Sequence, residues 1–392
     1  MKYSCFPLGG LVTISGGGTP SRNNDAYWGG SIPWATVKDL KDSSLSGTQE
    51  TITPEGLRDS ASNLIPAGSV IVATRMGLGK VAINTIDVTI NQDLKAFSCS
   101  AGLDPRYLLY YLLVNASHLD SMGKGATVKG ITLDVLKDLS IPLPPLPEQK
   151  RIAAILDKAD SIRRKRQEAV RLTEELLRSV FLDMFGDPVA NPKGWPKGKM
   201  FEVVMGKYGI KAGPFGSSLK KEDYTVSGYR IYGQEQVIAG RFDIGDYYIG
   251  ERKFQQLKGC EVAEGDLLVS LVGSFGKVIV VPSGIEPGII NPRLLKITPN
   301  KDVITSIFLA AVIGNPSIQA AFGQMAHGGT MGILNVGLLK QLDVILPPLK
   351  LQREFAKRLE VLKKLENSLL FAFDDSGNLF NSLQQRAFTG EL

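Results

Sequence analysis

The sequence is poor in the residues that build closed chemical sites. Its three cysteines, Cys5, Cys99 and Cys260, lie far apart in 392 residues, which fits neither a disulfide framework nor the close pairs of a zinc site. Histidine is rarer still, with only His118 and His327, so no structural metal is expected. No apolar run reaches the roughly 18 residues a spanning helix requires, and the opening MKYSCFPLGGLVTISGGG meets glycines before a secretory apolar core forms. The expectation is a cytoplasmic chain with no membrane contact. A large excess of one charge is also lacking: 45 basic and 39 acidic residues leave +6, with a pI near 9.0, which permits a polyanionic partner without requiring one. What remains is ordinary for a globular protein, 43% hydrophobic and 21% charged. At about 150 residues per domain, the length predicts two to three domains.

An internal duplication organises the chain. A constant offset carries Leu136, Lys137 and Leu139 to Leu339, Lys340 and Leu342. The same offset carries Leu143, Pro144, Pro145, Leu146 and Gln149 to Leu346, Pro347, Pro348, Leu349 and Gln352. It continues without a gap from Ala153, Leu156, Ala169, Leu176, Ser179 and Phe185 to Ala356, Leu359, Ala372, Leu379, Ser382 and Phe388. Upstream, Gly68, Val72, Gly79, Lys80 and Val81 match Gly265, Val269, Gly276, Lys277 and Val278 at a slightly different shift. Four segments follow: a globular region 1–146, a segment 147–187, a second globular region 188–348 and a final segment 349–392. Most of the positive excess falls in 188–348, which holds 17 basic and 13 acidic residues, whereas 1–146 holds 12 of each.

The globular regions are glycine-rich, with short β-branched runs such as Ser69–Ala73 and Leu267–Ser270 that read as strands. Each also has one apolar helical stretch, 106–115 and 306–313. In 147–187 the apolar pattern becomes helical: Ile152, Leu156, Ala159, Val170, Thr173, Leu177, Val180 and Met184 fall on steps of three and four. Phe355, Leu359, Leu362, Leu369, Phe373, Phe380 and Leu383 repeat the stripe. From 148 to 184 one helix would run ~55 Å at 1.5 Å per residue. Two stripes that each need a partner predict an antiparallel coiled coil joining two globular modules, an α+β dumbbell with pseudo-two-fold symmetry. Arg163 and Glu366 occupy equivalent stripe positions and either set register or reach out to solvent. Gly377, which costs about 1 kcal/mol relative to alanine, marks a place where the second helix can bend. The run Arg163-Arg164-Lys165-Arg166 is either a solvated helix face or a partner-facing edge.

The segment PLPPLPEQKRIAAIL, from Pro142 to Leu156, and the helix closing in SVFLDMFG, from Ser179 to Gly186, resemble the central conserved region of type I restriction-modification specificity (S) subunits. Leu346 to Gln352 and the ending SLQQRAFTGEL, from Ser382 to Leu392, resemble that family's distal conserved region. The resemblance covers the whole chain. It implies two tandem β-rich target recognition domains, each reading one half of a bipartite, asymmetric DNA target, with the conserved helices setting the spacer between the halves. It further implies double-stranded DNA, two modification (methyltransferase) subunits and the restriction (helicase-nuclease) subunits as partners. S-adenosylmethionine, ATP and magnesium would serve those partners, with no cofactor in this chain.

The residues agree with a nonenzymatic role. Methylation of a base amino group calls for Asn or Asp followed by Pro-Pro-aromatic, but Asp104-Pro105-Arg106, Asn191-Pro192-Lys193 and Asn291-Pro292-Arg293 lack the second proline, as do the pairs at Asp187 and Asn315. A P-loop is also absent, because Gly79-Lys80 and Gly276-Lys277 are each followed by valine and lack the upstream glycine. The competing reading is a stand-alone sequence-specific DNA-binding regulator.

Loops of small residues flanked by cations let amides and side chains approach phosphates and base edges. Four such places recur. The first supplies Thr19, Ser21 and Arg22, paralleled by Lys211, Ser217, Ser218, Lys220 and Lys221. The second supplies Arg75 and Lys80, paralleled by Lys277. The third pairs Asn91 and Gln92 with Asn291 and Arg293, since amides can grip adenine and arginine can grip guanine. The fourth supplies Lys124, Thr127 and Lys129, paralleled by Thr330. Each competes with a plain structural use, as a turn between strands or a turn cap.

Overall fold

The computed structural model describes residues 3–124, 129–206, 208–271, 277–326 and 336–392. The chain forms two compact units, one of Met1–Ala169 with Leu369–Leu392, the other of Val170–Ser368.

In the first unit, five strands lie in the order Val12–Gly16, Leu94–Cys99, Val70–Ala73, Val81–Asn84 and Ser44–Leu45. A four-stranded sheet has the order Glu50–Ile52, Trp28–Ala35, Val88–Ile90 and Leu64–Ile65, with Trp28–Ala35 and Val88–Ile90 parallel. Val70 to Ala73 are all buried, as suits a β-branched run in a sheet covered on both faces. The helix Pro105–Val114 covers that sheet. Asp104 caps it by accepting from the amides of Arg106 and Tyr107, and proline fills its first position.

The second unit repeats the plan. One sheet has the order Ile210–Ala212, Leu294–Ile297, Leu267–Ser270 and Val278–Val280. In the other, Tyr229–Tyr232 runs parallel to Gly288–Ile290. The helix Ser306–Ile313 is capped by Thr305 Oγ1, which accepts from the Phe308 amide. A small antiparallel pair closes each unit, Cys5–Pro7 with Ser140–Pro142 and Lys197–Lys199 with Asp343–Ile345. The α+β class and the duplicated β-rich modules are therefore as the sequence implies.

Both long helices form, as Leu146–Phe185 and Leu349–Thr389. Along the first, Gln149, Ile152, Leu156, Ala159, Arg163, Arg166, Val170, Thr173, Leu177, Val180 and Met184 form a less exposed stripe in three-four steps, flanked by buried Ala153, Asp160, Phe181 and Phe185. The second repeats it from Gln352 to Ala387. Within each unit the helices run antiparallel. In the first, Arg151 Nη2 donates to Leu392 O at 2.7 Å, Arg163 lies 5.5 Å over Phe380, and Arg166 Nη1 donates to Ala372 O at 2.5 Å. In the second, Phe355 packs against Phe181 and Phe185 at ring separations of 5.7 and 5.4 Å, with Phe308 alongside.

Three expectations resolve here. Helix continues through Gly377 without a break, and Ser376 Oγ donates to Phe373 O inside it. At the two equivalent stripe positions, Arg163 Nη2 pairs with Asp160 at 2.7 Å, and Glu366 lies near Glu174. Of the basic run, Arg164 also pairs with Asp160, at 3.1 Å, so two of its charges are satisfied within the helix.

Candidate nucleic-acid interface

In the first unit the predicted segments are bonded into one patch. A Cβ on Gly17 would fall 1.9 Å from Ile90 O, a closeness only glycine permits. Gly18 N donates to Ile90 O at 3.0 Å, and Thr19 Oγ1 donates to Gln92 Oε1 at 2.6 Å. The first segment therefore lies on the third. Thr74 joins the third to the second, its amide and hydroxyl donating to Asp93 O at 2.8 and 3.0 Å. The fourth joins through Ile131 N, which donates to Thr74 O, and through bridges that pair Gly130 with both Arg75 and Lys124.

Segments 15 to 131 in sequence are thus bonded to one another. Thr19, Ser21, Arg22, Arg75, Lys80, Gln92, Lys124 and Lys129 are all exposed. Lys129 pairs with Asp120 at 3.3 Å, and Lys80 Nζ reaches Val37 O at 3.5 Å. Arg22 pairs with Glu50 through both terminal nitrogens, at 2.5 and 2.9 Å. That hydrogen bond raises the Arg22 pKa and lowers the Glu50 pKa.

The second unit joins its first three segments in a related way. A Cβ on Gly213 would fall 1.9 Å from Asn291 O. Gly213 N donates to Leu294 O, and Leu271 N to Arg293 O, both at 3.0 Å. Ser218, Lys220, Lys221, Lys277 and Arg293 are exposed. The Lys220 amide donates to Asp223 Oδ2 at 2.7 Å, and this bond, with Lys253 at 3.0 Å, holds the Asp223 carboxyl below its usual range. Thr127, Thr330, His327 and the Ser217 side chain lie outside the described residues.

Three of the predicted residues are not free loop side chains. Asn91 is buried, and its Oδ1 accepts from the Asp93 amide at 3.1 Å while its Nδ2 donates to Asp93 Oδ2 at 3.2 Å. Asn291 Oδ1 accepts from the Arg293 amide at 2.9 Å. Both amides are engaged in their own turns. Lys211 is half-buried in the strand Ile210–Ala212, opposite Lys296, rather than at a loop tip.

Sequence reasoning missed Glu50, Trp28 and Trp34 around Arg22, because they belong to the strands Glu50–Ile52 and Trp28–Ala35 rather than to a glycine-rich loop. It also missed Met76, which sits beside Arg75 with φ of 53° and is 69% exposed. An apolar residue inside a turn of cations and glycines was the available signal. Among the described residues no cluster of three or more His, Cys, Asp or Glu could hold a metal. No helix among them is long and apolar enough to cross a membrane.

Fold and site together define a duplicated scaffold, with two related loop-bearing modules and a pair of long helices. The chain belongs to the type I restriction modification DNA specificity domain family, whose pattern matches residues 2–172 and again residues 201–370. Among its relatives, the MjaIX specificity subunit of Methanocaldococcus jannaschii is 27% identical over 51% of each chain. The EcoR124I/EcoR124II specificity subunit of Escherichia coli is 35% identical over 40% of each. These two matches thus span about half or less of those relatives' length. The EcoKI specificity subunit of Escherichia coli is 23% identical over 92% of this chain and 82% of its own. In fold, the S subunit from M. genitalium superposes with a TM-score of 0.62 at 15% identity, covering 99% of this chain and 96% of the other.

Proposed function

We propose that this chain is the DNA specificity subunit of a type I restriction-modification complex. It would recognise a bipartite target through two recognition domains, at 1–146 and 188–348, and scaffold the subunits that carry the chemistry. The observation that carries this reading is the repeated loop cluster. Two modules of related plan each bond sequence-distant polar loops together, with close glycine approaches at Gly17 and Gly213 and matching amide bonds at Thr74 and Leu271. Two related modules on one chain suit two different half-sites better than one continuous sequence. Exposed Arg75, Lys80, Lys124, Lys220, Lys221, Lys277 and Arg293 supply phosphate contacts and base donors. S-adenosylmethionine, ATP and magnesium would act in the modification and restriction subunits.

The test is methylation mapping. DNA exposed to this chain reconstituted with its modification subunits should carry methyl groups at one interrupted sequence, and neither part alone should modify it. Methyl transfer by the isolated chain would overturn the nonenzymatic assignment. Specific binding by the isolated chain with no response to modification subunits would favour a stand-alone regulator.

A further inference from the structure

Arg22 differs from the other cations of the first cluster because its surroundings are built. Its guanidinium lies 3.7 Å from the ring centroid of Trp28 and 5.1 Å from that of Trp34. The two indoles meet edge to face at 5.0 Å. Trp28 Nε1 donates to Ser21 O at 3.1 Å and Trp34 Nε1 to Gly18 O at 2.9 Å, so the loop carrying Arg22 is tied to the rings that Arg22 covers. Glu50 then holds both ends of the fork, while the Arg22 and Glu50 side chains remain 51% and 43% exposed.

This arrangement separates charge from direction. A guanidinium paired with a carboxylate forms a neutral unit, which adds little to the salt-dependent attraction of phosphates. Guanidinium nevertheless has five N–H donors, and Glu50 engages one on each terminal nitrogen. The remaining donors stay available in a plane fixed by the indole face. A planar, pre-set donor group with little net charge suits a paired acceptor on a base edge, and guanine O6 and N7 are the pair that arginine fits.

Resting on the DNA reading above, we propose that Arg22 reads a guanine in the half-site of the first unit. Glu50 and Trp28 are positioning residues that hold its fork and its plane.

The experiment uses the full chain assembled with its modification subunits and a pool of duplexes with a randomised central window, bound DNA being sequenced. Wild type should select an interrupted sequence, and failure to do so overturns the DNA reading together with this proposal. R22K keeps the charge and removes the fork. It should relax preference at one G·C pair of one half-site by roughly 5- to 150-fold, with the other positions and the salt dependence unchanged. E50Q should weaken preference at the same position.

If wild type selects its sequence and R22K retains every preference, the proposal fails while the DNA reading stands. If E50Q instead binds all duplexes more tightly with preferences intact, Glu50 is a competitor that DNA must displace, and the positioning role is wrong. Loss of every preference in that half-site by R22K would mark a collapsed loop and also overturn the proposal.

Discussion

Gln149 and Gln352 show what a single side chain does in this fold. Each is completely buried. The Gln149 carbonyl accepts from the Asp104 amide at 2.9 Å, and its amide donates to Gly102 O and Pro144 O at 2.9 and 2.8 Å. Gln352 repeats this with Thr305 N, Val303 O and Pro347 O at 2.8, 3.3 and 2.8 Å. Each glutamine locks the proline turn, the start of a long helix and the cap of the sheet-covering helix. Gln149→Leu would leave a buried amide and two carbonyls without their partner, and should destabilise the first unit by about 3 kcal/mol, read from urea unfolding. The sequence offset pairs the two glutamines, but it cannot name their bonds, because the partners are backbone groups of any residue type.

Glu366 carries the opposite sign of effect. It sits half-buried in the helix seam, and desolvation, then Glu174, raises its pKa. A carboxyl with a raised folded-state pKa binds protons more readily when folded, so its ionisation weakens the fold as pH rises through that value. Glu366→Gln should therefore raise Tm at neutral pH. The gain should vanish at roughly pH 4, below the ordinary glutamate value. A gain equal at both pH values would refute the electrostatic cause.

At the scale of elements, the long helices were the most legible part of the sequence, because a three-four apolar period survives without knowledge of any partner. Strand pairing was much less so. The parallel contact between Trp28–Ala35 and Val88–Ile90 joins segments more than fifty residues apart, and no local pattern encodes it. The candidate site was legible to the same degree: glycine and cation loops could be found, but not Glu50 beside Arg22 or the burial of Asn91. Asn91 could have been anticipated from Asn-Gln-Asp, a local Asx-turn sequence. The seam is also where packing carries most weight. Phe355 is 1% exposed among Phe181, Phe185 and Phe308, so Phe355→Ala should cost about 3–5 kcal/mol. Leu362→Ala, at a half-buried seam position, should cost clearly less by the same denaturation measurement.

Duplication of the whole chain carries a functional consequence that neither residues nor elements supply. Each unit has its own core, one around Phe97, Tyr107 and Leu136, the other around Phe308, Leu295 and Leu339. Replacing 1–146 with the corresponding region of another family member should therefore change one half of the methylated sequence and leave the other half intact. The graft boundary is not free of constraint. Tyr107 and Tyr110 pack on Phe388 and Phe380 of the distal helix at 5.1 and 6.2 Å, and the Tyr110 hydroxyl donates to Asp157 Oδ1 at 2.7 Å. A donor with aromatic residues at those two positions should yield a folded hybrid, and one with small residues there should fail to assemble until they are restored. Methylation mapping of the hybrids decides the matter: altered modification at both halves would mean that the two modules do not read DNA independently.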